Sequence, residues 1–416
     1  MAQIKTFKYK VMKVRKFDKK VIKKYFWNIK NFVFILTFFL INISCQSLSA
    51  QCYDIQDSYI SSAERYPNIA SPNMYSKQIN THYVIQKDIL YGYAKGFYTS
   101  KTMNVADKTT FQLLKEVVGI LATISEKRDY LPLHMDIYSS TKNEEQIKPI
   151  ILFVHGGGFF FGDKENDLQM RLTEELIDNG FAVASINFRL GMKLRGYTDI
   201  KKGIYFGVQD VRAALRYITH YAEELRIDPK QIYLAGSSSG AIVALTTAFM
   251  DEDEVFKCCQ TKSFKKRFGS INESGNSLTC NPELAGVIAL WGGINDLNMI
   301  DQRNNIPVLL FHGTEDNILY NESGIPFQNY LSSYMKNVLF GSQELYGSYA
   351  IYKYMSARNM NVRYVPFFNC KHAPHAEKDG SFNENLNIVK QEINQFLFQH
   401  MPNLNNTMNN KEMTLE

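Results

Sequence analysis

After a charged turn at Lys142 to Gln146, the chain runs Ile150, Ile151, Leu152, Phe153, Val154 without a polar break. A strand with one face in water alternates apolar and polar residues, whereas a strand covered on both faces reads as a continuous apolar run. Similar runs return at Phe181 to Asn187, Ile232 to Ala235, Ala285 to Trp291, Pro307 to Phe311 and Val362 to Phe368. Between them the period lengthens to that of a helix. Residues 166–179 carry Leu168, Leu172 and Leu176 four apart, and 204–225, Ala241 to Met250, Ser348 to Met360 and Leu386 to His400 predict further helices. Strands alternating with helices in this rhythm predict an α/β domain on a doubly wound, mainly parallel sheet with helices on both faces. Upstream, His82 to Tyr91 and Leu131 to Tyr138 predict two more strands, and Thr109 to Ser125 a helix.

Two stretches break the rhythm. Residues 251–282 are charged and polar with three cysteines, and residues 317–345 are aromatic and rich in Asn and Ser. Loops of this length inside a compact domain carry function or structure of their own. Both are expected to be insertions near the site, with a lid among their roles. The expected organisation is a targeting segment over 1–50, a polar lead-in over 51–80, one main domain over 81–400 and a frayed tail over 401–416.

Charge changes the picture only at the N-terminus. The 416 residues carry a formal +6, but eleven of the 47 Lys and Arg lie in residues 1–50 beside one acid, Asp18. The rest holds 36 basic and 40 acidic residues, a balance of −4. The basic excess therefore belongs to the first segment and gives no case for nucleic-acid binding. That segment continues into a ten-residue apolar core, Phe32 to Ile41, and then Ser47, Leu48, Ser49 and Ala50. An ordinary membrane span needs about 20 apolar residues. The layout is that of a secretory signal cut near Ala50, with an uncleaved anchor as the alternative. The expectation is a secreted or periplasmic protein that meets the membrane only transiently, through this segment. Asn42 and Ile43 are poor company for a lipid-anchored Cys45. Cys52, Cys258, Cys259, Cys280 and Cys370 remain after cleavage. Secretion permits disulfides, and Cys258 or Cys259 with Cys280 would close a surface loop, but pairing is not readable from sequence. No Cys-x-x-Cys pair or His/Cys cluster has zinc spacing, and no metal or other cofactor is expected.

The chemistry gathers at strand ends. Gly236, Ser237, Ser238, Ser239 and Gly240 follow the run ending at Ala235 and precede a helix. A Ser on a sharp strand-to-helix turn needs neighbours without bulk, and the following helix aims its N-terminus at negative charge developing there. After Val154 come His155, Gly156, Gly157 and Gly158. Consecutive glycines let backbone N–H groups curl towards one point, as stabilisation of a tetrahedral oxyanion requires; losing one such donor costs a few kcal/mol. The donors named are the N–H groups of Gly157, Gly158 and Ser239. A phosphate loop would end in Gly-Lys-Ser/Thr, which is absent. Phe159, Phe160 and Phe161 next to the glycines are candidates for pocket or core. An acid should follow the Ser, and a His should follow the acid. Asp316, after Phe311, His312, Gly313, Thr314 and Glu315, supplies the carboxylate, with Glu315 and Asp296 as rivals. The base is His372 or His375 in the loop past the last strand, with His372 preferred because it lies nearer the strand end. Pro374 biases Ala373 to extended backbone, which keeps the two rings from one spot. His155 and His312 are read as holding their loops by hydrogen bonds.

From Tyr83 to His400 the chain resembles the esterase/lipase branch of the α/β-hydrolase superfamily, in particular hormone-sensitive-lipase-like and feruloyl/acetylxylan-esterase-like carboxylesterases. The resemblance rests on Leu133 to Tyr138, His155 to Gly158, Gln209 to Tyr217, Gly236 to Gly240 and His312 to Asn317. It implies the α/β-hydrolase fold and hydrolysis of carboxylic esters through an acyl-enzyme without a metal, with structural roles for Arg189 and Asp210. The departures are Cys370-Lys371-His372 where Gly-x-Gly-His is usual, Ser239 where Ala is common, and the two long insertions. The expected partner is a small-molecule or carbohydrate-linked ester, short-acyl or sugar-linked. The alternatives are a serine peptidase or aminoacyl-ester hydrolase of the same fold, and a binding protein that keeps the fold without catalysis. Oligomeric state is not legible.

Overall fold

The strand period of two sorts the apolar runs onto two cores. In β4 (Lys148–Val154), Ile150, Leu152 and Val154 enter one core, while Ile151 and Phe153 enter the other. The computed structural model describes residues 69–72, 77–79, 83–95, 130–142, 145–159, 161–190, 198–301, 305–326, 344–377 and 379–401. All belong to the compact unit Ser61–Glu416. The 1–50 segment, most of the lead-in, the Thr109 to Ser125 helix, Phe160 and the tail beyond Met401 lie outside the described residues.

Around β4 stand β1 (Lys77–Ile79), β2 (Tyr83–Lys95), β3 (Tyr130–Ser140), β5 (Ala182–Ile186), β6 (Ile227–Ser237), β7 (Gly286–Leu290), β9 (Val308–Gly313) and β12 (Val362–Phe367). Among the described residues they form a nine-stranded sheet in the order β1-β2-β3-β5-β4-β6-β7-β9-β12. Pairings from β5 to β12 are parallel, and those joining β1, β2, β3 and β5 are antiparallel. One face is covered by α2 (Thr198–His220), α3 (Ser239–Phe249) and α5 (Ser348–Ser356), the other by α1 (Asp167–Asp178) and α6 (Asn385–Gln399). The α1 start follows from its cap: the Asn166 side chain accepts from Leu168 N–H, and Asp167 adds a charge suited to the first turn. Cutting a fully buried side chain such as Leu152 to Ala would cost about 2–5 kcal/mol.

Residues 251–282 carry α4 (Lys262–Phe268) and are bolted to α2 and β2. Gln209 Nε2 donates to the carbonyls of Phe268, Gly269 and Ser270. Arg216 donates to Asn272 and Ser274 carbonyls and to the Asn276 side chain, which in turn donates to Tyr91 O and Ala213 O. Phe264 and Phe268 pack on Phe206 at ring distances of 6.0 and 5.0 Å. The bonds on this segment describe cladding over α2 and β2. Cys258, Cys259, Cys280 and Cys370 are all free thiols. Cys280 Sγ donates to Arg216 O at 3.0 Å, and Cys258 Sγ and Cys259 Sγ lie 3.6 Å apart. Part of the second insertion joins a small sheet in which β10 (Ser323–Gly324), β11 (Leu345–Gly347) and β8 (Gly293–Ile294) pair antiparallel; residues 327–343 lie outside the described ones.

Candidate active site

Ser238 stands where β6 ends and α3 begins, with φ 52° and ψ −119°. A non-glycine residue held there costs of order 1–3 kcal/mol and persists only where its surroundings enforce it. They do so here by close packing. A Cβ on Gly240 would run into the carbonyls of Val154 and His155, and one on Gly236 into Gly240 itself. Ser238 N–H donates to Leu290 O at 2.9 Å, tying the corner to β7, and the first turn of α3 closes onto Ser238 O from Ala241 and Ile242.

The loops after β9 and β12 bring the other two groups. Asp316 follows β9 and is 4% exposed. Its Oδ1 accepts the backbone N–H groups of Ile318 and Leu319 at 2.8 and 3.1 Å, which fixes the carboxylate. Its Oδ2 faces His372 Nδ1 at 2.7 Å, and His372 Nε2 faces Ser238 Oγ at 2.9 Å. Nδ1 beside a carboxylate carries a proton, so Nε2 is left to accept from the Ser238 hydroxyl. The two loops are stitched together: Glu315 N donates to Cys370 O, Thr314 N to Phe367 O, and Asn369 N to Thr314 Oγ1, each at 2.9 Å. Gly313 passes so close to the Cys370 and Lys371 carbonyls that a Cβ would not fit. Burial alone would raise the Asp316 pKa, but hydrogen bonds from His312 and His372 outweigh it and hold the carboxyl well below the usual carboxylate range.

The rival residues lie elsewhere. Glu315 is exposed, and Asp296 caps a short turn by accepting from Asn298 N–H. His375 is buried flat against Trp291, ring centroids 4.6 Å apart, and burial pushes its pKa down to about 4. Ala373 is not extended as Pro374 predicted: its φ is 56°, because the loop doubles back in a turn closed by Ala376 N–H on Ala373 O. The rings still diverge, through the turn instead of through an extended link.

The glycine loop runs past the Ser. A Cβ on Gly156 would lie 3.3 Å from Ser238 Cβ, and Gly157 and Gly158 take φ of 119° and 63°. His155 is fully buried, donates from Nδ1 to Gly156 O at 2.7 Å and lies on the Phe188 ring; burial lowers its pKa to about 4. Phe159 is in the core and Phe161 half-buried. The far end of the loop is held by residues that sequence reasoning missed. Lys164 Nζ meets buried Asp136 at 2.7 Å, Lys164 N donates to Asn187 Oδ1 at 2.7 Å, and Ser185 Oγ donates to Lys164 O at 2.6 Å. The one forewarning was Asp136 in a strand that otherwise reads as core. Ser239 heads α3, and its buried hydroxyl has no partner among the described residues, a cost that Ala would avoid. Arg189 and Asp210 form a fully buried pair, Nη2 to Oδ1 2.6 Å, between α2 and the loop after β5.

A parallel sheet in this order, with a Ser on the strand-to-helix corner and an acid and a His on later loops, is the α/β-hydrolase fold. Residues 135–304 match the BD-FAE family model, and over that stretch the chain is similar to esterases and lipases of that superfamily. The juvenile hormone esterase of Heliothis virescens is 31% identical over 140 residues, covering 32% of this chain and 24% of the relative. The acetyl esterase of Salmonella schwarzengrund is 29% identical over 110 residues, 26% of this chain and 31% of the relative. The chain thus spans less than a third of either relative's length. Among solved structures, Thermogutta terrifontis esterase 2 phosphorylated by paraoxon is 17% identical, with 65% of this chain and 89% of that chain covered at a TM-score of 0.42.

Proposed function

We propose that this protein is a serine carboxylic ester hydrolase working through an acyl-enzyme. The observation that carries the reading is the unbroken path from Ser238 Oγ to His372 Nε2, 2.9 Å, and from His372 Nδ1 to Asp316 Oδ2, 2.7 Å. Ser238 Oγ attacks the acyl carbonyl while His372 Nε2 takes its proton. Asp316 keeps Nδ1–H in place and faces the imidazolium that forms. The N–H groups of Gly157, Gly158 and Ser239 hold the oxyanion, and the helix that starts at Ser239 adds its positive end. His372 then returns the proton to the leaving alkoxide, and water repeats the sequence on the acyl-Ser238 ester.

The substrate reading is a short-acyl or sugar-linked ester. It is supported by the partial likeness to the acetyl esterase of Salmonella schwarzengrund. Export rests on the basic stretch and apolar core before Ala50. The test is turnover of p-nitrophenyl acetate and butyrate, unchanged by chelators, with a fluorophosphonate adduct on Ser238. A panel of acetylated and feruloylated sugars then sorts the leaving groups. Undiminished turnover in Ser238→Ala, or faster cleavage of peptide amides than of any ester, sinks the reading.

A further inference from the structure

The Asp316 carboxylate carries a second imidazole. His312, in β9 and fully buried, places Nε2 3.1 Å from Asp316 Oδ2 and 2.8 Å from Leu319 O. Its Nδ1 lies 2.8 Å from Ser348 Oγ at the start of α5, and that hydroxyl is also 3.2 Å from Phe311 O. The protons can be assigned from what each neighbour is able to do. A carbonyl and a carboxylate only accept, so Nε2 must carry a proton. If Ser348 donates to Nδ1, the ring is neutral. If Ser348 donates to Phe311 O, Nδ1 also carries a proton and the ring is a cation. In both states the Nε2–H bonds to Leu319 O and lies beside the oxygen that Asp316 offers to His372.

We propose that His312 is a positioning residue for the hydrolysis proposed above, sharing Asp316 Oδ2 with His372 so that the carboxylate is fixed and the basicity of His372 is restrained. The inference rests on the Ser238–His372–Asp316 reading. Its logic is competition. Oδ2 accepts from His372 Nδ1 at 2.7 Å and has the His312 Nε2–H group 3.1 Å away, and electron density drawn towards one positive hydrogen is lost to the other. With His312 removed, Asp316 binds the His372 imidazolium more strongly, and the acid limb of activity moves to higher pH. A purely structural His312 predicts the opposite: a loosened Asp316 would hold the His372 imidazolium less well, and the acid limb would move to lower pH. The titratable groups around the array are His312 on β9, Asp316 on the loop after it, and His372 and His375 on the loop after β12. The α5 helix contributes the Ser348 hydroxyl, and the corner before α3 the Ser238 hydroxyl.

The experiment is the pH dependence of kcat/KM for p-nitrophenyl acetate in the full chain, His312→Leu and His312→Gln. The acid limb should rise by about half to one pH unit in His312→Leu, with KM held within about twofold, and return in His312→Gln, whose amide again offers an N–H. An unmoved or lowered limb in folded His312→Leu overturns the proposal. Should His312→Leu fail to fold, 15N NMR of the unaltered protein decides it. His312 Nε2 must stay protonated from about pH 5 to 9, and a bare Nε2 anywhere in that range overturns it. Absence of ester turnover and of a Ser238 adduct in the unaltered protein would instead sink the esterase reading, and the NMR measurement would still decide the proton at His312.

Discussion

His372 and His375 share one loop and have opposite surroundings. His372 keeps 15% of its side chain exposed, with a carboxylate at Nδ1 and a hydroxyl at Nε2. His375 lies parallel to Trp291 within 5°, has Phe382 5.8 Å away, and its Nδ1 finds no partner among the described residues. A cation at 375 would be desolvated and would sit near His372, and burial followed by that repulsion lowers its pKa to about 4. Asp316 gives a cation at 372 its counter-charge. The lesson is that residue type and sequence position do not assign the base. What each ring packs against separates them: one faces a carboxylate and a hydroxyl, the other lies buried on an indole.

The largest effects should fall on one side of this contrast. His372→Ala is expected to lower kcat by at least about 10³-fold, and Asp316→Asn by about 10⁴-fold, since an amide can present N–H to Nδ1 and favour the wrong tautomer. His375→Phe keeps an aromatic ring on Trp291 and should leave kcat/KM within about tenfold, because no proton passes through it. The measurement is steady-state hydrolysis of p-nitrophenyl butyrate by folded variants. Equal losses in His372→Ala and His375→Phe would break the comparison.

The choice between these rings shows where sequence reasoning stops. The buried strands were legible because a parallel strand covered on both faces must be apolar at every position, as Ile150 to Val154 are. The corner at Ser238 was legible because backbone crowding leaves only glycine at 236 and 240. Less visible was β6, which starts at Ile227 and runs through half-buried Asp228 and exposed Pro229 and Lys230, positions at its entry that hide the pattern. The α2 helix starts at Thr198 and not near 204, and ends at His220 before a turn through Arg226 at φ 58°. At seven residues, α4 is too short for a periodic signal; Phe264 and Phe268 become readable only against Phe206. The spacing of His312, at the end of β9, and Asp316, in the loop after it, carries no message by itself, and only the fold brings the two side chains together. Lys164 carried no signal in the sequence, because its partner, buried Asp136, lies 28 positions away on β3.

A smaller effect sharpens the contrast from the stability side. His375 in the unfolded chain titrates near its ordinary 6.5, but in the folded protein only at about 4. The folded state therefore binds fewer protons between these values, and its stability falls as pH drops from 6.5 towards 4. His155 adds a second shift of the same sign, to about 4. Asp316 acts below this window: its carboxyl is held under the usual range, so its contribution is present above 3.8 and lost only at lower pH. The His375 share of the loss between about pH 7 and 4.5 is on the order of 2 kcal/mol. His375→Phe keeps the stack and removes the proton, so its unfolding free energy from urea titration should fall by about 2 kcal/mol less over that interval than the parent's. Identical losses in the two proteins would mean that the ring at 375 takes up its proton in the folded state after all, and that the loop does not separate its two imidazoles by burial.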